Sequence, residues 1–410
     1  MDDRRRTLLR IYRAALDAVD GRRCVRDALA TEPPTGPLRL VALGKAAAAM
    51  AEGAFDACGD SIAAGLLITK AGHVDRAAWR QRPVRLFESA HPVPDQRSLD
   101  AGAALLDFIG SAPADAEFLF LLSGGASSLA EVLPPGGTLA DLEALNRHLL
   151  GSGLDIHAVN RIRIACSQIK GGRLARRLAG RRARVLLISD VEGDDPATVG
   201  SGPLSAGRRT PVQADELPPA LRHLLVAELA PAADDPVFCH ITHQIVASNA
   251  QALAAAAERA EALGLPVHRH AQFVKGEAAA VGEVLARALC DGKPGIHLWG
   301  GEPTVTLPPQ PGRGGRMQAL ALAAARVLEG RPDLYLLAAG TDGSDGPTED
   351  AGALVDGGTV SRCRAGGVDP AAALAAADAG SALDASGDLV HTGPTGTNVM
   401  DLIIGLRAET

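Results

Sequence analysis

A lysine directly behind a strand-ending glycine is an arrangement suited to phosphate, and LVALGKAAAAM places Lys45 after Gly44 in this way, at the mouth of an alanine-rich helix. A cation in the first turn of a helix opposes the macrodipole, a cost that a bound anion would offset; a solvated surface lysine is the alternative. In FLLSGGASSLAE, Ser123, Gly124 and Gly125 lead into Ser127 and Ser128. Two residues without side chains would let backbone N–H groups approach a phosphate, and the serines add hydroxyls, although Gly-Gly also serves turns for geometry alone. RVLLISDVEGDDP ends an apolar run on Asp190, a carboxylate placed to hold Mg²⁺ or to accept the proton of an attacking hydroxyl. Asp194 and Asp195 behind it read as Asx-turn residues. Arg316 opens a helix after a glycine-rich approach, where a planar guanidinium suits bidentate binding of phosphate or carboxylate.

GTDGSDGPTEDAG sets Thr341, Asp342 and Asp345 among glycines, which presents Asp342 to a metal or a sugar hydroxyl unless the loop is simply a solvated acidic turn. Its carboxylates do not fall at EF-hand spacing. Near the C-terminus, Thr392, Thr395, Thr397 and Asn398 gather before an expected final helix, where Thr397 or Asn398 would also serve as an N-cap. No G-x-x-x-x-G-K-[ST] loop, no G-x-G-x-x-G after a strand and no G-x-S-x-G elbow occurs. His240 and His243 have no third partner in a metal motif and read as structural histidines.

The elements that must position these loops follow from apolar periodicity. Strands are expected at Leu38–Leu43, Gly65–Thr69, Arg85–Glu88, Glu117–Leu122 and Arg184–Ser189, alternating with helices at Ala46–Ala57, Ser98–Ile109, Ser128–Leu133, Leu139–Leu150 and His157–Leu178. A proline-rich, acidic stretch from Gly207 to Pro236 is the expected linker. Beyond it come helices at Asn249–Leu263, Gly276–Cys290 and Arg316–Leu328, with strands at Pro266–Gln272, Gly295–Trp299, Thr304–Leu307 and Leu334–Ala338. The class is α/β, with loops at the carboxyl ends of a mostly parallel sheet as the ligand sites. At 410 residues the chain exceeds one core, so two domains are expected, 1–235 and 236–410, with the last helix free to pack back on the first.

Hydrophobic residues at 47% and charged residues at 22% describe a globular protein, and a net charge of −7 without a basic stripe argues against nucleic-acid and membrane-surface partners. The six cysteines are dispersed, with no C-x-x-C pair, which fits reduced thiols in a cytoplasm. The N-terminal MDDRRRTLLRIYRAALDAV has the spacing of an amphipathic helix and not the apolar core of a signal peptide.

Taken in order, LGKAAAAM, ESAHPVPDQRS, LLSGGASSL, IKGGRLA, ISDVEGDD, GGEPTVT, GGRMQ, GTDGSDGPTEDAGA and TGPTGTNVMDL resemble the glycerate 2-kinases that join an N-terminal Rossmann-like domain to a C-terminal MOFRL domain. The resemblance spans nearly the whole chain. It implies ATP-dependent phosphorylation of a small hydroxy acid, D-glycerate to 2-phosphoglycerate, in an interdomain cleft with Mg²⁺. Lys45, Arg316 and Asp190 are then the expected catalytic positions. Gly44, Ser123, Gly124, Gly125, Ser127, Ser128, Lys170, Glu302, Thr341, Asp342, Asp345, Thr395 and Asn398 are the expected substrate and nucleotide contacts, and Asp190 and Asp342 the metal ligands. Partners are limited to small molecules, and a homodimer is left open. Two departures stand out: the family's Asn-Gln-Glu after the arginine is Met317, Gln318 and Ala319 here, and its His-Leu-Ser before the lysine run is Ala165, Cys166 and Ser167. A hydroxypyruvate reductase, and a sugar-acid-binding protein without turnover, are the competing readings.

Overall fold

The computed structural model describes residues 2–34, 36–151, 154, 156–207 and 211–409, which divide into two compact units, Gly21–Val246 and Met1–Asp20 with Ala247–Thr410. The first unit thus ends beyond the expected boundary at 235, and the N-terminal helix α1 (Asp3–Ala18) belongs to the second. Amphipathic spacing explains the exchange. Leu8, Ile11, Tyr12 and Ala15 form one buried stripe. The Tyr12 hydroxyl donates to the Gly340 carbonyl at 2.6 Å, and Arg5 pairs with Asp356 and Asp388.

The first unit runs α2 (Gly21–Thr31), β1 (Leu38–Leu43), α3 (Ala47–Cys58), β2 (Ile62–Lys70), β3 (Val84–Ser89), α4 (Gln96–Gly110), β4 (Glu117–Leu122), α5 (Ala126–Leu129), α6 (Leu139–Gly151), α7 (Ile156–Ala165), α8 (Arg173–Arg177), β5 (Ala183–Ile188) and β6 (Ile241–Ala247). Its sheet has the order β3-β2-β1-β4-β5-β6, with β1 parallel to both β2 and β4, and β4 parallel to β5. This is the doubly wound Rossmann order, in which the chain's direction of travel across the sheet reverses between β1 and β4. Val41, Phe120 and Val185, on neighbouring strands, anchor the core beneath that point.

Three expectations for this unit change. The single helix expected over His157–Leu178 is two, because Gly171 and Gly172 adopt φ of 60° and 83°, a left-handed step that interrupts it. The helix expected at Ser128–Leu133 is the one-turn α5, three residues of which precede Leu129. The expected linker does not divide the units: Leu217, Leu221 and Leu224 are buried against Leu145, Leu149 and Ile162. Residues 208–210 of that stretch lie outside the described residues.

The second unit adds α9 (Asn249–Ala262), β7 (Val267–Arg269), α10 (Ala278–Asp291), β8 (Gly295–Gly301), α11 (Arg316–Leu328), β9 (Leu334–Gly340), β10 (Gly352–Asp356), α12 (Thr359–Ala365), α13 (Pro370–Ala375), α14 (Ala379–Ser386), β11 (Leu389–Val390) and β12 (Asp401–Arg407). Its sheet is mixed, in the order β11-β10-β9-β12-β8-β7. The expected final helix is instead β12, a central strand antiparallel to both β8 and β9. Its short run DLIIGLR is buried through Leu406, which suits an interior strand. The strand expected at Thr304–Leu307 is reduced to one bridge from Thr304 to Glu277, since Pro303 and Pro308 have no N–H to give a ladder.

On this sheet His270 stacks on Trp299 with centroids 4.4 Å apart, and its Nε2 meets His297 Nδ1 at 3.1 Å, while His297 Nε2 donates to the Lys293 carbonyl at 2.9 Å. That chain of bonds requires a neutral His297 ring, and burial, with nearby His268 adding to it, holds both His270 and His297 below the ordinary histidine pKa. A depressed histidine pKa gives stability that is complete above the unfolded value near 6.5 and lost as pH falls below it. The melting temperature is therefore expected to fall between pH 6.5 and 5, by about 2–4 °C per kcal/mol lost, and His297→Phe should flatten that slope in a thermal-melt series.

Candidate active site

The carboxyl ends of β1 and β4 meet at the switch point, and the loops leaving them are bound to each other. Lys45 N–H donates to the Gly124 carbonyl at 2.9 Å, Ala46 N–H to Ser123 Oγ at 3.1 Å, and Ser123 N–H to the Leu43 carbonyl at 3.1 Å. Gly44, at φ 137°, admits no side chain there: a Cβ would lie 2.1 Å from Ser123 Oγ. Ser123 is fully buried, and its hydroxyl, accepting from Ala46 N–H, locks the lysine's turn. Lys45 sits in the turn ahead of α3, not in its first helical turn as expected.

Gly125, the N-cap of α5, is left-handed at φ 84°. A Cβ on it would lie 3.0 Å from the His91 ring and 3.2 Å from Lys45 Cγ, so its bare Cα leaves room where these two side chains converge. Beside this point opens a cavity of about 220 Å³ whose wall includes His91, Ser127, Asn146, Arg163 and Lys170. Ser127 Oγ accepts from Ser201 Oγ at 3.0 Å, and Ser128 Oγ donates to the Gly125 carbonyl at 3.1 Å. Lys170, buried, is ion-paired to Glu131, which also accepts from Ser167 Oγ at 2.6 Å. Asp190 leaves the end of β5, one strand along from β4 on the same carboxyl edge. A larger cavity of about 430 Å³ involves Leu38, Glu117 and Ala183, which begin β1, β4 and β5; it lies at the amino edge, where sheets of this type do not place ligands.

The second unit's loops centre on Arg316. Its Nε and Nη2 meet the two oxygens of Asp401 at 2.6 and 3.1 Å, and its Nη1 lies 2.9 Å from Glu302. Burial works against the guanidinium's charge, but Asp401 and Glu302 outweigh it and raise its pKa. Burial likewise pushes Asp401 up to about 6, against the pull of Arg316. Asp345, expected at the ligand, caps α11: its carboxylate accepts from Met317 N–H at 3.1 Å and Gln318 N–H at 2.7 Å. Its burial pushes it up to about 7, with those donors opposing.

Thr341 is buried and also structural, donating to the Met400 carbonyl at 2.7 Å and accepting from Val399 N–H at 2.8 Å. Thr395 donates to the Thr341 carbonyl. Since β12 begins at Asp401, neither Thr397 nor Asn398 caps a helix; both are buried in the turn that delivers Asp401. Asp342 keeps Oδ1 on Ser344, with N–H and Oγ at 3.0 and 3.2 Å.

Sequence reasoning missed His91, Glu131, Arg163 and Asp401. His91 and Asp401 stood inside HPVP and NVMD without a pattern to single them out, and Arg163 falls in what read as an unbroken helix.

The chain matches a domain of unknown function, DUF4147, over residues 7–228 and the MOFRL family over residues 295–401. It is 34% identical over 417 residues to the D-glycerate 2-kinase of Thermotoga maritima, with 97% of each chain covered. The chain belongs to the glycerate 2-kinase family. The crystal structure of a glycerate kinase from that organism superposes with a TM-score of 0.84 at 32% identity over 100% of both chains. A protein of Agrobacterium vitis with the provisional name hydroxypyruvate reductase is 38% identical, covering 97% of this chain and 93% of its own.

The departures from the family pattern fall on packing positions. Met317 and Ala319 are buried in the second unit's core, where a methionine fills space in place of an amide. Ala165 ends α7, and the buried Cys166 thiol is pushed up to about 12, mainly by burial, which leaves it inert. Among the described residues no helix is long and apolar enough to cross a membrane.

Proposed function

We propose that this chain transfers the γ-phosphoryl group of ATP to the 2-hydroxyl of D-glycerate. The observation that carries this is Lys45 at the switch point, held by a backbone clasp beside a left-handed glycine, in a chain whose relatives include glycerate kinases. Phosphoryl transfer demands positioning and charge neutralisation more than covalent chemistry. The Lys45 ammonium meets the oxygens of the transferring group. The acceptor hydroxyl forms the new P–O bond as the bond to the β-phosphate oxygen breaks, and its proton passes to Asp190.

Arg316 serves the phosphates. Asp401 fixes the plane of its guanidinium through Nε and Nη2, while Nη1 is held only by Glu302, whose side chain is 45% exposed and free of the core, so a phosphate oxygen displaces it at modest cost. The carboxylates around Arg316 suit a nucleotide carried with Mg²⁺ better than a bare triphosphate. No group of three or more metal-binding side chains occurs among the described residues. Magnesium is commonly held by one or two carboxylates together with substrate phosphates; Asp190 in the first unit and Asp342 in the second are each a proposed ligand. Bound there, the ion neutralises charge developing on the phosphate oxygens.

The reductase name has less support, because the β1–α3 turn carries Gly44 alone and lacks the glycines that admit a dinucleotide pyrophosphate. An ADP-release screen over D-glycerate, tartronate, erythronate and glycerol is expected to show Mg²⁺-dependent turnover that is fastest with D-glycerate. NADH oxidation with hydroxypyruvate in the absence of ATP would overturn the assignment.

A further inference from the structure

We propose that Arg163 receives the carboxylate of the acceptor acid in the cavity beside Gly125, an inference that rests on the kinase reading above. The cavity's charges do not cancel. Lys170 and Glu131 neutralise each other as a buried pair, and Glu131 also carries Ser167 and the Val132 N–H at 2.9 Å. Arg163 projects from α7 into the same cavity half-buried, and among the described residues its guanidinium makes no hydrogen bond or ion pair. Burial accordingly works against its charge, and Glu131 offsets only part of that.

A desolvated guanidinium without an anion is a standing cost unless an anion is its purpose. Its planar fork matches a carboxylate in bidentate fashion. Size separates the two anionic substrates. At about 220 Å³ the space is below the roughly 300 Å³ at which pockets for drug-sized ligands begin. A three-carbon acid fits it and a nucleoside triphosphate does not. Gly125 and His91 line the cavity together with Arg163, and Lys45 Cγ lies beside Gly125, so an acid held by Arg163 lies close to the lysine. Asn146, buried and bonded through Nδ2 to the Leu142 carbonyl at 2.9 Å, lines the same wall.

The test compares wild type with Arg163→Gln and Arg163→Lys in ATP-dependent turnover and in thermal shift. Arg163→Gln is expected to raise KM for D-glycerate about 100-fold, the effect of losing one charged bidentate partner, with KM for ATP unchanged and kcat within a few-fold. The preference for D-glycerate over glycerol, which lacks the carboxylate, should collapse by the same factor. Without ligand its melting temperature should equal or exceed that of wild type, since an unpaired charge has been removed. Added D-glycerate should raise the melting temperature of wild type but not of the variant, and ATP with Mg²⁺ should shift both alike.

Arg163→Lys keeps the charge without the fork, and a rise of about 10-fold in KM for D-glycerate is expected; it carries the test alone if the glutamine variant does not fold. An unchanged KM for D-glycerate in the folded variants, or a rise in KM for ATP in its place, overturns the proposal while leaving the kinase reading intact. Absence of D-glycerate phosphorylation by wild type would remove the kinase reading itself.

Discussion

Lys45→Ala is expected to lower kcat about 10³-fold, the scale seen when one preorganised group that meets developing charge is removed, with the melting temperature almost unchanged. The two halves of the expectation have different sources. The lysine's turn is held by main-chain bonds and by the Ser123 hydroxyl, none of which involves the ammonium, so truncation leaves the clasp in place. The charge itself acts on the transferring group, and its loss appears in kcat more than in KM for either substrate. Single-turnover kinetics with a parallel thermal melt would separate them. A variant that loses activity in proportion to lost folded protein would place Lys45 in the scaffold and not in the chemistry.

Arg316→Ala is expected to be as damaging to turnover and, unlike the first change, to cost stability. Its partner Asp401 is 1% exposed, and removing one member of a buried pair costs about 3–5 kcal/mol in general, less here because the arginine side chain is 36% exposed. The cost should depend on pH. Asp401 is already pushed up to about 6, and without Arg316 it rises further. A carboxyl whose folded pKa is raised favours the fold when protonated, so the destabilisation is largest above neutrality and shrinks as pH falls toward 5. Urea melts of both proteins at pH 8 and pH 5.5 measure the difference. Asp401→Asn keeps a side-chain acceptor but loosens the guanidinium, and a smaller fall, about 10–100-fold in kcat, is expected from misorientation alone. An equal stability loss at both pH values would mean that Asp401 does not titrate through its bond to Arg316.

The residues that read most clearly in the sequence are those at the carboxyl edge of the first sheet. Leu38–Leu43 and Glu117–Leu122 are interior strands that end in apolar runs, and the glycines behind them mark turns that only glycine fits, so Lys45 could be placed before any contact was known. Arg316 was equally legible as the first residue of α11. What the linear pattern did not reveal is who holds these cations. Asp401 heads a strand that is inserted between β8 and β9 from the far end of the chain, and the five-residue apolar run behind it does not declare its period. Asp345 resembles a ligand in the linear reading, yet tertiary folding brings it over the N–H groups of α11 from 27 residues downstream of Gln318. Ser123 likewise looked free, yet its hydroxyl accepts from Ala46 N–H across the switch point, 77 residues away in sequence. Arg163 was hidden for the opposite reason: nothing local marks a guanidinium that forms no hydrogen bond or ion pair among the described residues.

The most direct test of the central claim is phosphorus NMR of the product formed from D-glycerate, ATP and Mg²⁺ by the full chain. The account predicts a single new phosphomonoester at the 2-position with one ADP released per product, and both signals lower by about 10³-fold at equal times in the Lys45→Ala protein. A phosphate on the 3-hydroxyl, or NADH-dependent reduction of hydroxypyruvate with no phosphoester formed, would contradict it.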